Sequence, residues 1–394
     1  MRGKVAIIGA GLIKFGELFD RSFYDLIGEA TNNCIESVDK GIDVQKEVEA
    51  AWIGTCMGGI SAQRDVLSGA GLITALPELK LKPVTRVENA CATGSNAFRD
   101  AALSVASGVY DIVMAVGAEK MREKEPQNFL RFVAAREQVF NRGLIAPSYF
   151  AMYANAWQDK YANEEKLREY MSKVAVKNHY NGKFCPYSHF MFDITEEQAS
   201  TAPIVSYPFR LFDCCPQTDG AATVILCKAE LAKKFTDSPI YLLGSGLSAD
   251  VYWIPNRQSL TSALATVQAA KEAYDMAKIG PDDLDFAEVH DCFTFTELLD
   301  YEDLGFCKPG EAGKLISEGE VSLGGRLPVN TSGGLKAKGH PIGATGIGQI
   351  CENWFQLRNE AGKRQVDGAE IGLQHNLGGP LAIGCVNIFT NKKP

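Results

Sequence analysis

The residue best suited to chemistry is Cys91, which lies in the segment Glu88-Asn-Ala-Cys-Ala-Thr-Gly-Ser95. The small residues that follow it favour the start of a helix. At a helix N-terminus the unpaired N–H groups and the helix dipole stabilise a thiolate, so we expect a lowered pKa for the Cys91 thiol. The alternative is a buried core cysteine, since the chain has 11 cysteines and most free cysteines are small core residues.

A second candidate is His340, on the Gly/Pro-rich segment Lys338-Gly-His-Pro-Ile-Gly-Ala-Thr-Gly346. The end of this segment, Gly343-Ala-Thr-Gly346, repeats the pattern Cys91-Ala-Thr-Gly94, so His340 stands three residues before the position that matches Cys91. If two similar halves of the chain are related by pseudo-twofold symmetry, His340 and Cys91 lie at neighbouring helix starts. A histidine within hydrogen-bonding reach of a cysteine can activate it as a nucleophile, although a lone histidine is more often structural.

A third candidate is the segment His290-Asp-Cys-Phe293, which follows a predicted strand. Ligands bind at the carboxyl ends of strands in open α/β sheets. His290 could donate a hydrogen bond to a developing oxyanion, and Cys292 could transfer a proton. The alternative is a capped strand end that carries an incidental thiol.

A fourth candidate is the segment Gln374-His-Asn-Leu-Gly-Gly379. Its glycines allow close backbone approach, and an N–H group near Gly378 could line an oxyanion hole. The side chain of His375 could contribute as well. A tight turn without chemical function is the alternative.

Two other chemistries are disfavoured. The nearest approach to a metal cluster is His179, Cys185 and His189, whose spacing matches no common zinc pattern, so we predict no bound metal. Gly9-Ala-Gly11 resembles the start of a dinucleotide-binding fingerprint, but Lys14 stands where that fingerprint needs its third glycine.

The elements that must position these residues occur twice along the chain. Short apolar runs, helical stretches and further strands follow one another in the same order in both halves, which predicts βαβ units, largely parallel sheets and right-handed crossovers. The paired strands and helices are Lys4–Gly9 with Pro239–Gly244, Phe23–Val38 with Leu264–Ala277, Glu49–Gly54 with Phe286–His290, and Asp111–Gly117 with Glu370–His375. A duplicated α/β fold is therefore the predicted architecture.

The repeat also predicts the domain boundaries. Residues 1–119 and 207–235 form the N-terminal half, residues 236–394 form the C-terminal half, and residues 120–206 form an inserted loop domain. Insertions on a rigid scaffold often supply substrate contacts. The aromatic residues of this insertion could line a pocket for a bulky acyl group, although an aromatic stripe is more often core packing; they are Phe129, Phe132, Tyr149, Phe150, Tyr153 and Trp157.

Composition narrows the class of protein further. With 394 residues, 46% of them hydrophobic, the chain can bury a large core. A formal charge of −8 argues against a nucleic-acid partner, and no apolar run approaches the ~20 residues that span a bilayer. The first residues, Met1–Leu12, are better explained as a strand and turn than as a signal peptide. Since no Cys-x-x-Cys pair occurs, reduced thiols and a cytoplasmic location are predicted.

Together, the four segments that contain Cys91, His290, His340 and His375 resemble the thiolase superfamily, and the resemblance extends across almost the whole chain. The block Asn330–Gly346 resembles the family's Gly-His-Pro signature, Glu88–Cys91 resembles its nucleophile motif, and Asp213–Ala222 resembles the strand that closes the first half. The match is strongest to the branch of the thiolase domain of sterol carrier protein X and its archaeal and bacterial relatives. The resemblance implies a duplicated βαβαβαββ fold in α-β-α-β-α layers.

The resemblance also implies a division of roles. Many thiolases have an Asn-Glu-Ala-Phe motif where this chain has His290-Asp-Cys-Phe293, and a late Cys-x-Gly motif whose cysteine position is His375 here. In the sterol-carrier branch the lost cysteine is replaced by that of the His-Asp-Cys-Phe motif. Carried over, Cys91 is the nucleophile, His340 its base, Cys292 the second acid/base and His290 an oxyanion donor.

The implied activity is thiolysis of a 3-oxoacyl-CoA by coenzyme A, or the reverse Claisen condensation, with no permanently bound cofactor. A benzoylsuccinyl-type aromatic substrate is one possibility beside simple acetyl-CoA chemistry. Two alternatives remain: a condensing enzyme of the ketoacyl-synthase or hydroxymethylglutaryl-CoA-synthase kind, and a non-catalytic scaffold subunit. The resemblance further implies a homodimer, and a small zinc-ribbon/OB-fold partner subunit that helps to hold coenzyme A.

Overall fold

The computed structural model describes residues 1–56, 68–123 and 144–394. The strands are β1 (Val5–Leu12), β2 (Ala50–Gly54), β3 (Val84–Val87), β4 (Ile112–Glu119), β5 (Ile204–Ser206), β6 (Phe209–Arg210), β7 (Gly220–Lys228), β8 (Ile240–Ala249), β9 (Phe286–Glu288), β10 (Ile371–Gly378) and β11 (Ile383–Thr390). The helices are α1 (Phe23–Glu36), α2 (Val44–Glu47), α3 (Ser68–Ala75), α4 (Thr93–Ala106), α5 (Ala146–Tyr161), α6 (Glu164–Gly182), α7 (Glu196–Thr201), α8 (Leu264–Ala277), α9 (Thr294–Asp303), α10 (Ala312–Ser317), α11 (Gly334–Ala337) and α12 (Ile342–Leu357).

In the described part of the chain, nine strands form one sheet whose order shows the duplication. The order is β3-β2-β4-β7-β1-β8-β11-β10-β9, so each half runs outward from the central pair β1–β8 through equivalent strands. In the second half a short bridge between Ala287 and Val329 occupies the place of β3. The predicted duplicated α/β fold is therefore confirmed.

The direction of the strands differs from the prediction. β2 is parallel to β3 and β4, and β9 is parallel to β10. The closing strand of each half, however, lies antiparallel to both of its neighbours: β7 between β1 and β4, and β11 between β8 and β10. The sheet is mixed rather than largely parallel. In addition, β7 begins at Gly220, so residues 213–219 lead into the closing strand instead of forming its start.

Two helices form the layer between the two halves of the sheet. α4 and α12 pack against each other; α12 contacts β4, β7 and β10, and α4 contacts β2 and β4. α1 covers β1 and β7 on one outer face, and α8 covers β8 and β11 on the other. This arrangement gives the predicted α-β-α-β-α layers, and it places the N-termini of α4 and α12 side by side.

Glycines allow α4 and α12 to approach this closely. A Cβ on Gly94 would lie 2.7 Å from the carbonyl oxygen of Gly343. A Cβ on Gly346 would lie 2.4 Å from the backbone nitrogen of Ser95. Both distances are shorter than any real contact, so the repeated Ala-Thr-Gly motif is the point where the two helices cross.

The segment between β4 and β5 packs on the C-terminal half, where α6 contacts α9, α10 and α11. Its described aromatic side chains are mainly core: Tyr153 and Trp157 are fully buried. Phe150 stacks near Phe293, with ring centroids 4.7 Å apart. Core packing therefore explains most of this stripe, while Phe129 and Phe132 lie outside the described residues. Among the residues described, no helix is both long and apolar enough to cross a membrane.

Candidate active site

Cys91 lies on the tight turn that joins β3 to α4. Ala92 is the N-cap of α4, so Cys91 precedes the helix by one further residue. Ala90 before it has a φ of 49°, a left-handed conformation that is rare for a residue with a Cβ. Such conformations concentrate at functional sites, where the surrounding structure imposes them. Cys91 is partly exposed as a residue, whereas its thiol is surrounded by protein.

Two histidines converge on this thiol. The Cys91 sulfur and one ring nitrogen each of His290 and His340 lie within 4.8 Å of one another. The two rings stand edge to face, with centroids 5.1 Å apart and an interplanar angle of 86°. The structure thus brings together three residues that are far apart in the sequence.

The free nitrogen of each ring is Nε2. Nδ1 of His340 lies 2.7 Å from Thr345 Oγ1, and Nδ1 of His290 lies 2.7 Å from Asn376 Nδ2. Neither Nε2 atom has a hydrogen-bond partner among the described residues, although both are buried. A buried polar atom without a partner is uncommon in a folded protein. Here the two Nε2 atoms are available to a substrate.

The electrostatics of Cys91 differ from the prediction. Burial, followed by the charges of Glu119 and Glu88, raises the pKa of the Cys91 thiol to about 12, although N–H groups of Gly379 and of Cys91 itself act in the opposite direction. Burial also lowers the pKa of His340 to about 3. The expected lowering of the thiol pKa is therefore wrong, because the site is enclosed. At neutral pH the resting pair is a neutral thiol beside a neutral imidazole.

Cys292 is the second thiol of the site. It is buried, and burial followed by the neighbouring thiols of Cys215 and Cys91 raises its pKa well above the ordinary value. The Cys215 N–H donates to the Cys292 carbonyl over 3.0 Å. Behind it, the rings of Phe293 and Phe209 are stacked 4.9 Å apart. A neutral thiol in an apolar wall is suited to donating a proton rather than to attacking a substrate.

The glycine motif lies against the turn that carries Cys91. A Cβ on Gly378 would lie 2.5 Å from the carbonyl oxygen of Asn89, so only glycine permits this approach. The backbone N–H that reaches the Cys91 sulfur belongs to Gly379, one residue beyond the predicted Gly378. Together with the N–H of Cys91, it forms a pair of donors where an acyl oxygen on the sulfur would lie.

The structure does not bring the side chain of His375 to the cluster. Its Nε2 lies 3.1 Å from Thr266 Oγ1 on α8, and its Nδ1 lies 3.4 Å from Asp300 Oδ2 on α9. Successive side chains of a strand point to opposite faces. His375 therefore faces the outer helices, while Gln374 and Asn376 face the central layer.

The thiol and two imidazoles of the cluster have the donor types and spacing that could also hold a metal ion. By contrast, His179 already has partners at both ring nitrogens, with Nδ1 3.2 Å from the Phe192 carbonyl and Nε2 3.3 Å from Lys336 Nζ. His189 Nδ1 lies 3.3 Å from Thr218 Oγ1. These contacts give His179 and His189 structural roles.

The sequence did not predict the role of three residues that position the site. Thr345 and Asn376 hold the rings of His340 and His290, and Glu119 accepts a hydrogen bond from the Gly343 N–H over 2.9 Å at the start of α12. The alternation of a strand would have placed Asn376 opposite His375. No sequence signal points to Glu119, because its role depends on the crossing of the two halves.

Comparison with known families agrees with this geometry. The model of the thiolase N-terminal domain matches residues 5–206, and that of the thiolase C-terminal domain matches residues 246–391. The chain belongs to the thiolase family of acyltransferases. Its resemblance to that family, and the prediction of an acyl-transferring enzyme, are thereby confirmed.

Several relatives of this thiolase are similar over almost its whole length. An acetyl-CoA acetyltransferase of Methanothermobacter thermautotrophicus is 43% identical over 98% of this chain and 99% of its own. Sterol carrier protein 2 of Bos taurus is 33% identical over 96% of this chain and 70% of its own. The benzoylsuccinyl-CoA thiolase subunit BbsB of Thauera aromatica is 32% identical over 95% of both chains.

Among solved structures, the Ltp2-ChsH2(DUF35) aldolase superposes on this thiolase with a TM-score of 0.83, covering 100% of this chain and 99% of its own at 22% identity. This likeness concerns the fold. It agrees with the duplicated, five-layered architecture.

Proposed function

We propose that this chain cleaves a 3-oxoacyl-CoA with coenzyme A, or catalyses the reverse Claisen condensation, through an acyl group carried on Cys91. The observation that carries the proposal is the convergence of the Cys91 thiol with two unpartnered imidazole Nε2 atoms, those of His290 and His340. A nucleophile, a base and an oxyanion donor are thus present within one site. Coenzyme A enters as a substrate, and no resident cofactor takes part.

In the first step Cys91 attacks the 3-keto carbon while its proton passes to His340 Nε2. Transfer during attack is suited to a pair that is neutral at rest. The resulting oxyanion is held by the N–H groups of Cys91 and Gly379. The bond between carbons 2 and 3 then breaks, and its electron pair forms the enolate of the departing acyl-CoA.

The enolate oxygen is stabilised by the Nε2 groups of His290 and of the now protonated His340. Cys292 donates its proton to carbon 2, which releases the shortened acyl-CoA and leaves Cys292 as a thiolate. Coenzyme A enters next, and Cys292 takes the proton of its thiol. The coenzyme A sulfur attacks the acyl carbon, Cys91 departs and recovers its proton from His340, so the site returns to its starting state.

Replacement of the nucleophile is the first test. We expect Cys91→Ala to abolish both acyl loading and turnover, a loss of at least about 10⁴-fold, while the thermal unfolding curve stays unchanged. Acyl loading is measured by intact mass after incubation with an acyl-CoA. Cys385→Ala, a buried cysteine on β11, is the matched control for loss of a thiol. Retained turnover in Cys91→Ala would exclude the assignment.

The division of roles between the thiols is a separate prediction. Cys292→Ala should still acquire an acyl group on Cys91, because attack needs only His340 and the backbone donors. It should lose carbon–carbon cleavage and condensation by about 10²–10⁴-fold, the usual contribution of a positioned acid or base. Loading is followed by mass and cleavage by release of acetyl-CoA. If Cys292→Ala cleaves a 3-oxoacyl-CoA at the normal rate, another group supplies the proton.

The acyl group is the finer part of the proposal. Relatives named for acetyl-CoA and for benzoylsuccinyl-CoA support a thioester substrate of either kind. The ring of Phe293, next to Cys292, contacts Phe150 and Phe209, so an aromatic wall lies beside the proposed acid. Turnover against short, long and aromatic 3-oxoacyl-CoAs decides between these substrates.

The domain boundaries, a homodimer, a small zinc-ribbon/OB-fold partner and a cytoplasmic location remain predictions from the sequence. A relative named as a thiolase subunit supports the idea of a partner chain. The test is copurification from the native host, followed by turnover with and without the captured protein.

A further inference from the structure

The protonation pattern of His290 depends on one neighbouring amide. Burial, followed by repulsion from the neighbouring His340 and His375 imidazoles when they are protonated, keeps the pKa of His290 well below its usual range, so the ring is neutral at neutral pH. A neutral imidazole carries its single proton on one of its two nitrogens. If Asn376 presents Nδ2 to His290 Nδ1, the proton lies on Nε2. If Asn376 presents Oδ1, Nε2 carries a lone pair that would repel an oxyanion.

The orientation of that amide is set by a buried chain that starts at a backbone carbonyl. The carbonyl of Val289 can only accept, and Gln349 Nε2 donates to it over 3.0 Å. The Oε1 of Gln349 must then face Gln374, whose Nε2 donates to it over 2.9 Å. A side-chain amide donates through its nitrogen and accepts through its oxygen. The orientation of one amide therefore fixes the orientation of the next.

The chain continues to the histidine. Gln374 Nε2 also donates to Ser95 Oγ over 2.8 Å. Ser95 then directs its single proton to Asn376 Oδ1, 3.0 Å away. With its oxygen occupied, Asn376 turns Nδ2 to His290 Nδ1 at 2.7 Å. Each nitrogen or hydroxyl of the chain donates to at least one acceptor, and the sequence of bonds ends at an Nδ1 that accepts.

Burial prevents the chain from reversing. Gln349, Gln374 and Ser95 are fully buried, so water cannot exchange for a lost partner. In the reversed chain the Gln349 oxygen would face the Val289 carbonyl oxygen, and buried polar groups would lack hydrogen-bond partners. Each such group costs roughly 1–3 kcal/mol.

The other histidine has the opposite arrangement. Thr345 Oγ1 donates to the Pro341 carbonyl over 3.0 Å, so it accepts the proton of His340 Nδ1 at 2.7 Å. The Nε2 of His340 therefore carries a lone pair, as a base requires. Of the two Nε2 atoms that face the site, that of His290 offers a substrate a proton and that of His340 offers a lone pair.

We propose that Ser95 and Asn376, oriented by Gln374 and Gln349, are positioning residues that fix His290 as its Nε2–H tautomer and so make it an oxyanion donor. The catalytic consequence rests on the proposed function, whereas the tautomer itself does not. The structural assignment can therefore be tested in the free enzyme without turnover.

The first experiment reads the tautomer directly. The ring nitrogens of ¹⁵N-histidine-labelled protein are recorded by NMR at pH 7.5, and the His290 signals are identified by their loss in His290→Gln. We expect a protonated Nε2 and an unprotonated Nδ1 for His290, and the reverse for His340. A protonated Nδ1 on His290 would overturn the proposal, whatever the enzyme's activity.

The second experiment removes one hydroxyl from the chain. Ser95→Ala frees Asn376 to turn, so we expect a mixture of His290 tautomers and a fall of about tenfold or more in kcat for carbon–carbon cleavage, within the ~10²–10³ attributed to an oxyanion donor. KM should change little, and acyl loading on Cys91 should persist. Ser104→Ala is the matched control on the same helix, since that hydroxyl donates to the Ala101 carbonyl of its own helix.

The outcomes separate the two proposals. Unchanged cleavage by Ser95→Ala, or an unchanged His290 tautomer in it, would contradict the role of the chain. Failure of the unmodified enzyme to load an acyl group would contradict the proposed function and leave the tautomer result standing. Equal losses in Ser95→Ala and Ser104→Ala would show a general packing effect instead.

Discussion

At the scale of single residues, the site separates two ways of activating a cysteine. A preformed thiolate–imidazolium pair needs a thiol of low pKa, whereas burial here raises the pKa of Cys91 and lowers that of His340. The pair is neutral until a substrate arrives. Under the proposed mechanism, proton transfer is coupled to attack, and the ordinary reactivity of the free thiol stays low.

This difference predicts the pH dependence of alkylation. Because the pKa of Cys91 lies at about 12, the thiolate fraction rises about tenfold per pH unit throughout pH 6–9. The rate constant for iodoacetamide should therefore climb with a slope near one and show no plateau. Alkylation of Cys91 is followed by peptide mass, with Cys91→Ala as the blank. A plateau above pH 7 would show a thiolate already present at neutral pH.

The residue scale also shows where sequence reasoning was limited. The short motifs identified Cys91, His290 and His340 as candidates, and the repeat predicted that the first and last would meet. The position of Cys91 before a helix was predicted, but its pKa was not. That value depends on burial and on Glu119, which the fold brings to the thiol, as well as on Glu88 of the same motif.

At the scale of elements, the crossing of α4 and α12 sets the distance between Cys91 and His340, the proposed nucleophile and base. Each helix starts with the same small-residue motif, and their first turns touch at Gly94, Gly343 and Gly346. A displacement of about 1 Å in a reacting pair can cost about 10²-fold in rate. Under the proposed function, these glycines therefore affect the reaction rate by fixing the distance between the reacting side chains.

Gly94→Ala tests this role of the crossing. The added Cβ would lie 2.7 Å from the Gly343 carbonyl, so the helices must separate. We expect kcat to fall at least about tenfold together with a lower Tm. Gly28→Ala on α1 is the control, since its Cβ would meet nothing nearer than 3.9 Å and should change stability by less than about 1 kcal/mol. Normal kcat in Gly94→Ala would show that the contact can relax harmlessly.

Much of the element order followed from the sequence. The helix predicted over Leu264–Ala277 has those bounds in the structure, and the paired strands were found within a few residues. Strand direction was not predictable, because an apolar run such as β7 reads alike in either direction. The separation of His375 from Asn376 was missed because the predicted strand ended too early, before alternation could be applied.

At the scale of the whole molecule, the site belongs to neither half alone. Cys91 comes from the N-terminal half, and His290, Cys292 and His340 come from the C-terminal half. One edge of the sheet is β3, which pairs on one side with β2, and no other described strand covers its second side. Exposed strand edges are natural pairing surfaces.

This edge supports the prediction of a homodimer. Sedimentation should give about twice the 42.8 kDa of one chain, and backbone amides of β3 should be protected from hydrogen exchange. Amides of the exposed strand β5, which the structure places away from the main sheet, are the internal comparison. A monomer with rapidly exchanging β3 amides would contradict pairing at this edge.

The duplication of the fold raises the question of whether one chain could hold two nucleophiles. Gly343 occupies the position that matches Cys91, and a side chain there would lie 2.6 Å from the Gly54 carbonyl oxygen and 2.7 Å from that of Ala118. Backbone atoms thus fill the space beside Gly343, and a nucleophilic side chain does not fit at this position. Under the proposed function each chain would carry one acyl group, on Cys91, so any half-of-sites behaviour in an assembly would originate between chains.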